Sequence, residues 1–409
     1  MSSLRDRFVD PLKRSLKRRL AGNDLEQLVQ NRNRRRLRWL AEEAEDPVVR
    51  FRALRNLAEM LDPEATDLFL GILAREAGTV PAAMVRTAAE GLGRLLHGDS
   101  AQSLRRLLAD KRPCGVQLAA ARSLATIGRA EDWSALRPWL EHVDGPSPLL
   151  PDERDTTVLR DTEPGGTRPL VWVLEVIYAD KNSSWWTSKA GKWLMSDQPK
   201  PRMDADRGAD KIVAASHRNA LQRRQLEDED FRRTLLHLGS LARDRDFDRF
   251  VDQLRDQQDL AARRSVIQSI GLHGDPRAIP LFEQWLGEVP ADQPDLAADL
   301  VRGAGRLGWP AVGEAIQGLW SQFEQPAVRL NLLWALGESG GDDNVRFLIN
   351  RIRARDQDLS DQEFEWAVRA IQRCGVLGRE AIRGCVATAR AGGGERDRVR
   401  RMAEMAGVH

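Results

Sequence analysis

The run Trp185-Trp186-Thr187-Ser188-Lys189-Ala190-Gly191-Lys192-Trp193 interleaves three indoles with two ammonium groups. Rings and cations at this spacing stack on nucleobases and neutralise phosphates. The same composition seats in a membrane interface, anchors a protein partner, or plugs the gap where an insert crosses a helical array. Trp185, Trp186, Lys189, Lys192 and Trp193 are therefore the candidate partner-binding residues. A second cluster, Arg32, Arg34, Arg35, Arg36 and Arg38, sets five guanidinium groups in seven residues, a polyanion-binding pattern.

Catalytic chemistry finds less to work with. The six histidines are His97, His142, His217, His237, His273 and His409; none is followed by Glu, and no H-E-x-x-H, G-x-S-x-G or Walker A motif occurs. Cys114, Cys374 and Cys385 form no C-x-x-C pair, which argues against a zinc cluster or a dithiol redox motif. Cys374 lies at an apolar position and reads as a buried, reduced thiol. No catalytic, cofactor-binding or metal-binding residue is assigned, no cofactor is expected, and the chain is expected not to be an enzyme.

Charge is unevenly spread. Residues 1–38 hold twelve Lys/Arg against four Asp/Glu, while the whole chain of 409 residues is only +2, so the rest is net acidic. That balance disfavours wrapping a polyanion along the whole length and concentrates any such contact at the N-terminal end. No run of eighteen apolar residues occurs, and the basic start is not followed by an apolar core with a cleavage site. The expectation is a soluble, cytoplasmic protein without a transmembrane segment, with peripheral membrane contact left open.

The elements that must position these residues are repetitive. A G-x-x-G turn (once with Ala last) follows apolar runs at Gly239–Ala242, Gly271–Gly274, Gly305–Gly308, Gly337–Gly340 and Gly375–Gly378. A recurrence of this size marks stacked supersecondary units. In the clearest unit Val266, Ile267 and Ile270 share one helical face; Gly271 and Gly274 are read as ending that helix through positive φ. Asp275 then caps the next helix with Pro276 in its first turn, and Ile279, Phe282 and Leu286 form the second apolar face. His273 falls in the turn, where a polar residue is tolerated. Trp133, Trp139, Trp285, Trp320, Trp334 and Trp366 sit among apolar residues at helical spacing and read as core.

The pattern Val-Arg, Ala-Leu-Gly and Asp-Pro across Val328-Arg329, Ala335-Leu336-Gly337, Val85-Arg86, Leu92-Gly93, Val49-Arg50 and Asp62-Pro63 resembles HEAT repeats of the short bacterial, phycobilisome-lyase-like (PBS lyase HEAT-like) type. The resemblance implies an all-α, HEAT-like repeat α-solenoid (an α-α superhelix), here with a nonrepetitive insert. It covers about eight units and is silent on function, since such repeats serve many roles.

The organisation expected is a pair of basic capping helices over 1–45, HEAT-like repeats over 46–142, a Pro-rich and Trp-rich insert over 143–228, further repeats over 229–391, and a C-terminal cap over 392–409. In the cap at 1–45, Leu4, Phe8, Leu12, Leu16 and Leu20 form one apolar stripe. The function expected is a non-catalytic scaffold that binds a protein partner through the concave surface and the Trp-rich insert. The alternative is a nucleic-acid-binding protein, DNA-repair-like or RNA-associated, using the basic segment. A third reading, implied by the resemblance alone, is a bilin-lyase-like chaperone.

Overall fold

The computed structural model describes residues 25–95, 97–109, 112–127, 132, 247–256, 260–354, 359–389 and 395–408. Among them every regular element is helical. Trp133, Trp139 and the insert at 143–228, with its Trp185–Trp193 segment, lie outside the described residues.

The N-terminal array opens with α1 (Arg34–Glu43). It continues as α2 (Pro47–Glu59) with α3 (Thr66–Ala74), α4 (Ala82–Leu95) with α5 (Ala101–Ala109), and α6 (Cys114–Ile127). The C-terminal array starts at α7 (Phe247–Asp256). Four helix pairs follow: α8 (Leu260–His273) with α9 (Ile279–Glu288), α10 (Pro294–Leu307) with α11 (Gly313–Gly318), α12 (Pro326–Ser339) with α13 (Asp342–Arg353), and α14 (Asp361–Arg373) with α15 (Val376–Thr388). The last helix is α16 (Glu395–Ala406). The protein is an all-α, HEAT-like repeat structure. Its stability is spread along the arrays, because each pair packs chiefly on its neighbours.

Local chemistry sets the boundaries. Asp46 caps α2 by accepting from the Val48 amide at 2.8 Å, with Pro47 in the first turn, where its missing N–H is not needed. Asp275 repeats the device, accepting from the Arg277 amide at 2.9 Å ahead of Pro276. Ser360 and Glu363 close a reciprocal capping box on α14.

The two glycines of the repeated turn do different work, which corrects one expectation. Gly274, Gly308 and Gly340 take positive φ (+76°, +73° and +67°) just past their helices. Gly271 instead lies inside α8, where an added Cβ would meet the Gly303 carbonyl oxygen at 2.2 Å. Gly305 and Gly337 likewise sit inside α10 and α12, with a Cβ 2.8 Å from Ala335 Cα and 2.7 Å from Ala370 Cα. In these three turns the first glycine therefore lets consecutive inner helices touch and the last one turns the chain; in Gly375–Gly378 it is the first that takes positive φ, +67°.

The two arrays lie side by side. Arg55 of α2 donates to the His273 carbonyl at 2.6 Å, and Phe51 meets Trp309 edge-on at 6.0 Å. One repeat along, the Ala83 amide donates to the Gly308 carbonyl at 3.4 Å and Arg86 to the Arg306 carbonyl at 2.8 Å. One further on, the Gly115 amide donates to Glu338 at 3.3 Å. The order 55, 86, 115 against 273, 306, 338 means that the arrays run in the same direction, repeat against repeat. The loop before α4 reaches further along the seam, where the Val376 amide donates to the Ala77 carbonyl at 3.1 Å.

Candidate functional site

Of the five clustered arginines, two fasten α1 to its neighbour. Arg38 pairs with Asp62 at 2.7 Å and with Glu64 at 2.5 Å; Arg34 donates to the Met60 carbonyl at 3.2 Å and lies 3.7 Å from Asp62. The Asp62 carboxylate is buried, so this anchoring draws on a desolvated anion and holds the helix firmly. Arg32, Arg35 and Arg36 are exposed. Arg32 turns the chain at φ +51°, and Asn33 then caps α1 by accepting from the Arg36 amide.

Arg36 stacks its guanidinium 3.8 Å above the indole of Trp39. Trp39 is 44% exposed, and among the described residues it is the large apolar side chain that the fold leaves out. An exposed indole under a guanidinium is the composition of a binding hot spot. The sequence reading passed over Trp39; the signal was its place three residues after Arg36, one turn along the same helix face.

The other tryptophans reached by the structure are packing groups. Trp309, Trp320, Trp334 and Trp366 are buried, and Trp285 packs against the core. His273 is fully buried against the rings of Phe247 and Phe250, so it is a core residue and not a tolerated polar one in an open turn. No group of His, Cys, Asp and Glu among the described residues is placed to hold a metal. Cys374 and Cys385 are buried and take part in no disulfide. Burial, then the Glu338 carboxylate, pushes the Cys374 thiol up to about 12, with Arg373 opposing.

A band of buried charge runs along the seam. Arg86 is pushed down to about 10, chiefly by burial; Glu90 opposes that shift, Arg55 adds to it, and Glu338 and Arg306 act more weakly. Arg373 and Glu338 pair at 3.1 Å with both side chains buried. Beside them lies a cavity of about 30 Å³. A wider cavity of about 230 Å³ opens between α13, α14 and α16, with Ile352, Leu359 and Phe364 below and Asp361, Arg398 and Arg401 at its rim.

No family model matches the chain, and no curated protein matches it either. Twelve solved chains do match. One belongs to the complex of CpcE and CpcF of phycocyanin lyase from Nostoc sp. PCC7120. It is 15% identical, over 83% of this chain and 92% of that one, with a TM-score of 0.22. An overlap that low carries no argument, and the helical repeats rest on the elements and packing described above. Among the described residues no helix is long and apolar enough to cross a membrane.

Proposed function

We infer that this is a non-catalytic binding protein that engages an acidic protein surface through Arg32, Arg35, Arg36 and Trp39. The observation that carries the reading is the Arg36–Trp39 stack, left in solvent on a helix that two further arginines hold rigid. Exposed Trp and Arg carry much of the energy at protein interfaces, and a preorganised pair loses little entropy on binding. The inner layer offers less. In α12, Val328 and every residue from Leu330 to Ser339 are buried, so this helix presents no open concave face. The Trp185–Trp193 segment stays a second candidate contact.

The same stacked pair favours one alternative, since guanidinium and indole also bind single-stranded nucleic acid. A tagged pull-down from native lysate, with and without nuclease, separates the two. A stoichiometric protein partner that survives nuclease and is lost with Trp39→Ala supports the protein reading. Partners lost on digestion, with affinity falling steeply as salt rises, move the assignment to nucleic acid. A stoichiometric partner indifferent to Trp39→Ala and Arg36→Ala overturns the assignment of this surface.

A further inference from the structure

The exposed face of α1 is centred on Trp39. Arg36 stands three residues before it and Glu42 three after; Arg35 stands four before and Glu43 four after. At 3.6 residues per turn these offsets put all five side chains on one side of the helix. All five are exposed, while Leu37 and Ala41 on the opposite side are buried. Along the helix axis the outer face therefore reads positive, indole, negative.

Nothing within α1 accounts for that order. The helix dipole favours acids in the first turn and bases in the last, and α1 has neither. Arg36 and Glu42 are separated by about 9 Å along the axis, at 1.5 Å per residue, and the guanidinium stacks on Trp39 instead. Arg38 has the i,i+4 spacing to meet Glu42 but is engaged by Asp62 and Glu64. Glu42 and Glu43 thus have no ion pair among the described residues.

A second copy of the same helix, laid antiparallel across the first, accounts for it. A two-fold axis through Trp39 sets each residue before the indole against the residue equally far after it in the other copy. Arg36 then meets the partner's Glu42, Arg35 meets the partner's Glu43, each pair is made twice, and the two indoles meet at the axis. The two helix dipoles are also opposed, so each basic N-terminal turn lies beside an acidic C-terminal one. We propose that the outer face of α1 is the contact of a two-fold homodimer. This rests on the reading of the Arg36–Trp39 face as a protein-binding surface, and it names the acidic surface that face takes, which is α1 of a second copy. A face one helix long buries less than the roughly 800 Å² per partner of a standard interface, so the dimer is reversible, with a Kd of about 10 µM.

The test is sedimentation velocity of the purified, nuclease-treated full chain over about 1 to 200 µM, a range that brackets that Kd. The expected result is a monomer–dimer equilibrium that closes at two copies and weakens as salt rises. Arg36→Glu and Glu42→Arg each set like charges together at both symmetry-related points, so each alone weakens dimerisation at least tenfold, as does Trp39→Ala. Thermal melts check that each variant folds. Mixed in equal amounts, the two charge variants recover a heterodimer. The chain carrying both substitutions recovers the homodimer, since its charges are exchanged but still opposed. A monomer at every concentration overturns the proposal. If such a monomer still captures a partner that is lost with Trp39→Ala, the binding surface stands and only its occupant is wrong. A dimer indifferent to both charge variants, or assembly that runs past two copies, overturns the two-fold contact on α1.

Discussion

The Val376 amide donates to the Ala77 carbonyl oxygen at 3.1 Å, and the Cβ that Gly375 lacks would fall 2.2 Å from that same oxygen. The close approach of the two arrays at this point therefore requires glycine twice over, because Gly375 also takes φ +67°. Gly375→Ala is expected to destabilise the protein by about 2–4 kcal/mol, from a left-handed backbone and a backbone clash together. Gly384, in the exposed face of α15, has nothing within 4 Å of its missing Cβ. Gly384→Ala should stabilise by roughly 0.5–1 kcal/mol. Urea midpoints of the two variants give the comparison; similar midpoints would refute this account of the seam.

Arg55 makes the matching test at the other end of the seam. It is 4% exposed, donates to the His273 carbonyl at 2.6 Å, and lies 3.8 Å from Glu59. Arg55→Ala removes the charge that Glu59 faces and opens a hole beside Phe51, at a cost of about 3–5 kcal/mol. Arg55→Met keeps the stem and loses only the head, so its cost should be smaller. If both variants melt with the native protein, the side-by-side arrangement of the arrays is wrong.

The repeat was legible because its signals are local. Asp275-Pro276, the apolar face of Val266, Ile267 and Ile270, and the recurring glycines each report on one helix end or one helix face. The lateral pairing was not legible. Nothing within a few residues of Arg55 or Arg86 shows that a carbonyl more than 200 positions away will receive it. The division of labour within the arginine cluster was hidden for the same reason. Arg34 and Arg38 differ from Arg35 and Arg36 only through Asp62, which lies across the next helix.

That division predicts separable phenotypes. Arg35→Ala with Arg36→Ala should leave stability within about 0.5 kcal/mol, since both side chains are exposed, and should weaken partner capture at least tenfold. Arg38→Ala should do the opposite first. It strips Asp62, 1% exposed, of its closest cation, and the melting temperature falls before any loss of binding by the folded protein. Thermal melts read beside the pull-down give the answer. Loss of binding in Arg38→Ala at full stability would place the interface on the other side of α1.

Cys374 gives stability a pH dependence of defined sign. Its thiol has an ordinary value of 9.0 and is pushed up to about 12 in the folded protein, first by burial and then by Glu338. In the unfolded chain it loses its proton near pH 9, whereas the folded protein keeps it, so between the two values the unfolded state binds fewer protons. The preference is fully present below pH 9 and is lost as pH rises towards 12, at up to about 1.4 kcal/mol per pH unit for one thiol. Cys374→Ala should lower stability by a constant amount from lost packing and flatten the decline between pH 9 and 10.5. Other groups titrate in the same range, so the difference between the native and variant slopes in urea unfolding is the quantity to follow. Parallel slopes would mean that the thiol is not held in its protonated form. At pH 8 the native thiol should also resist a disulfide reagent until the chain is unfolded, because the reactive thiolate is what burial suppresses.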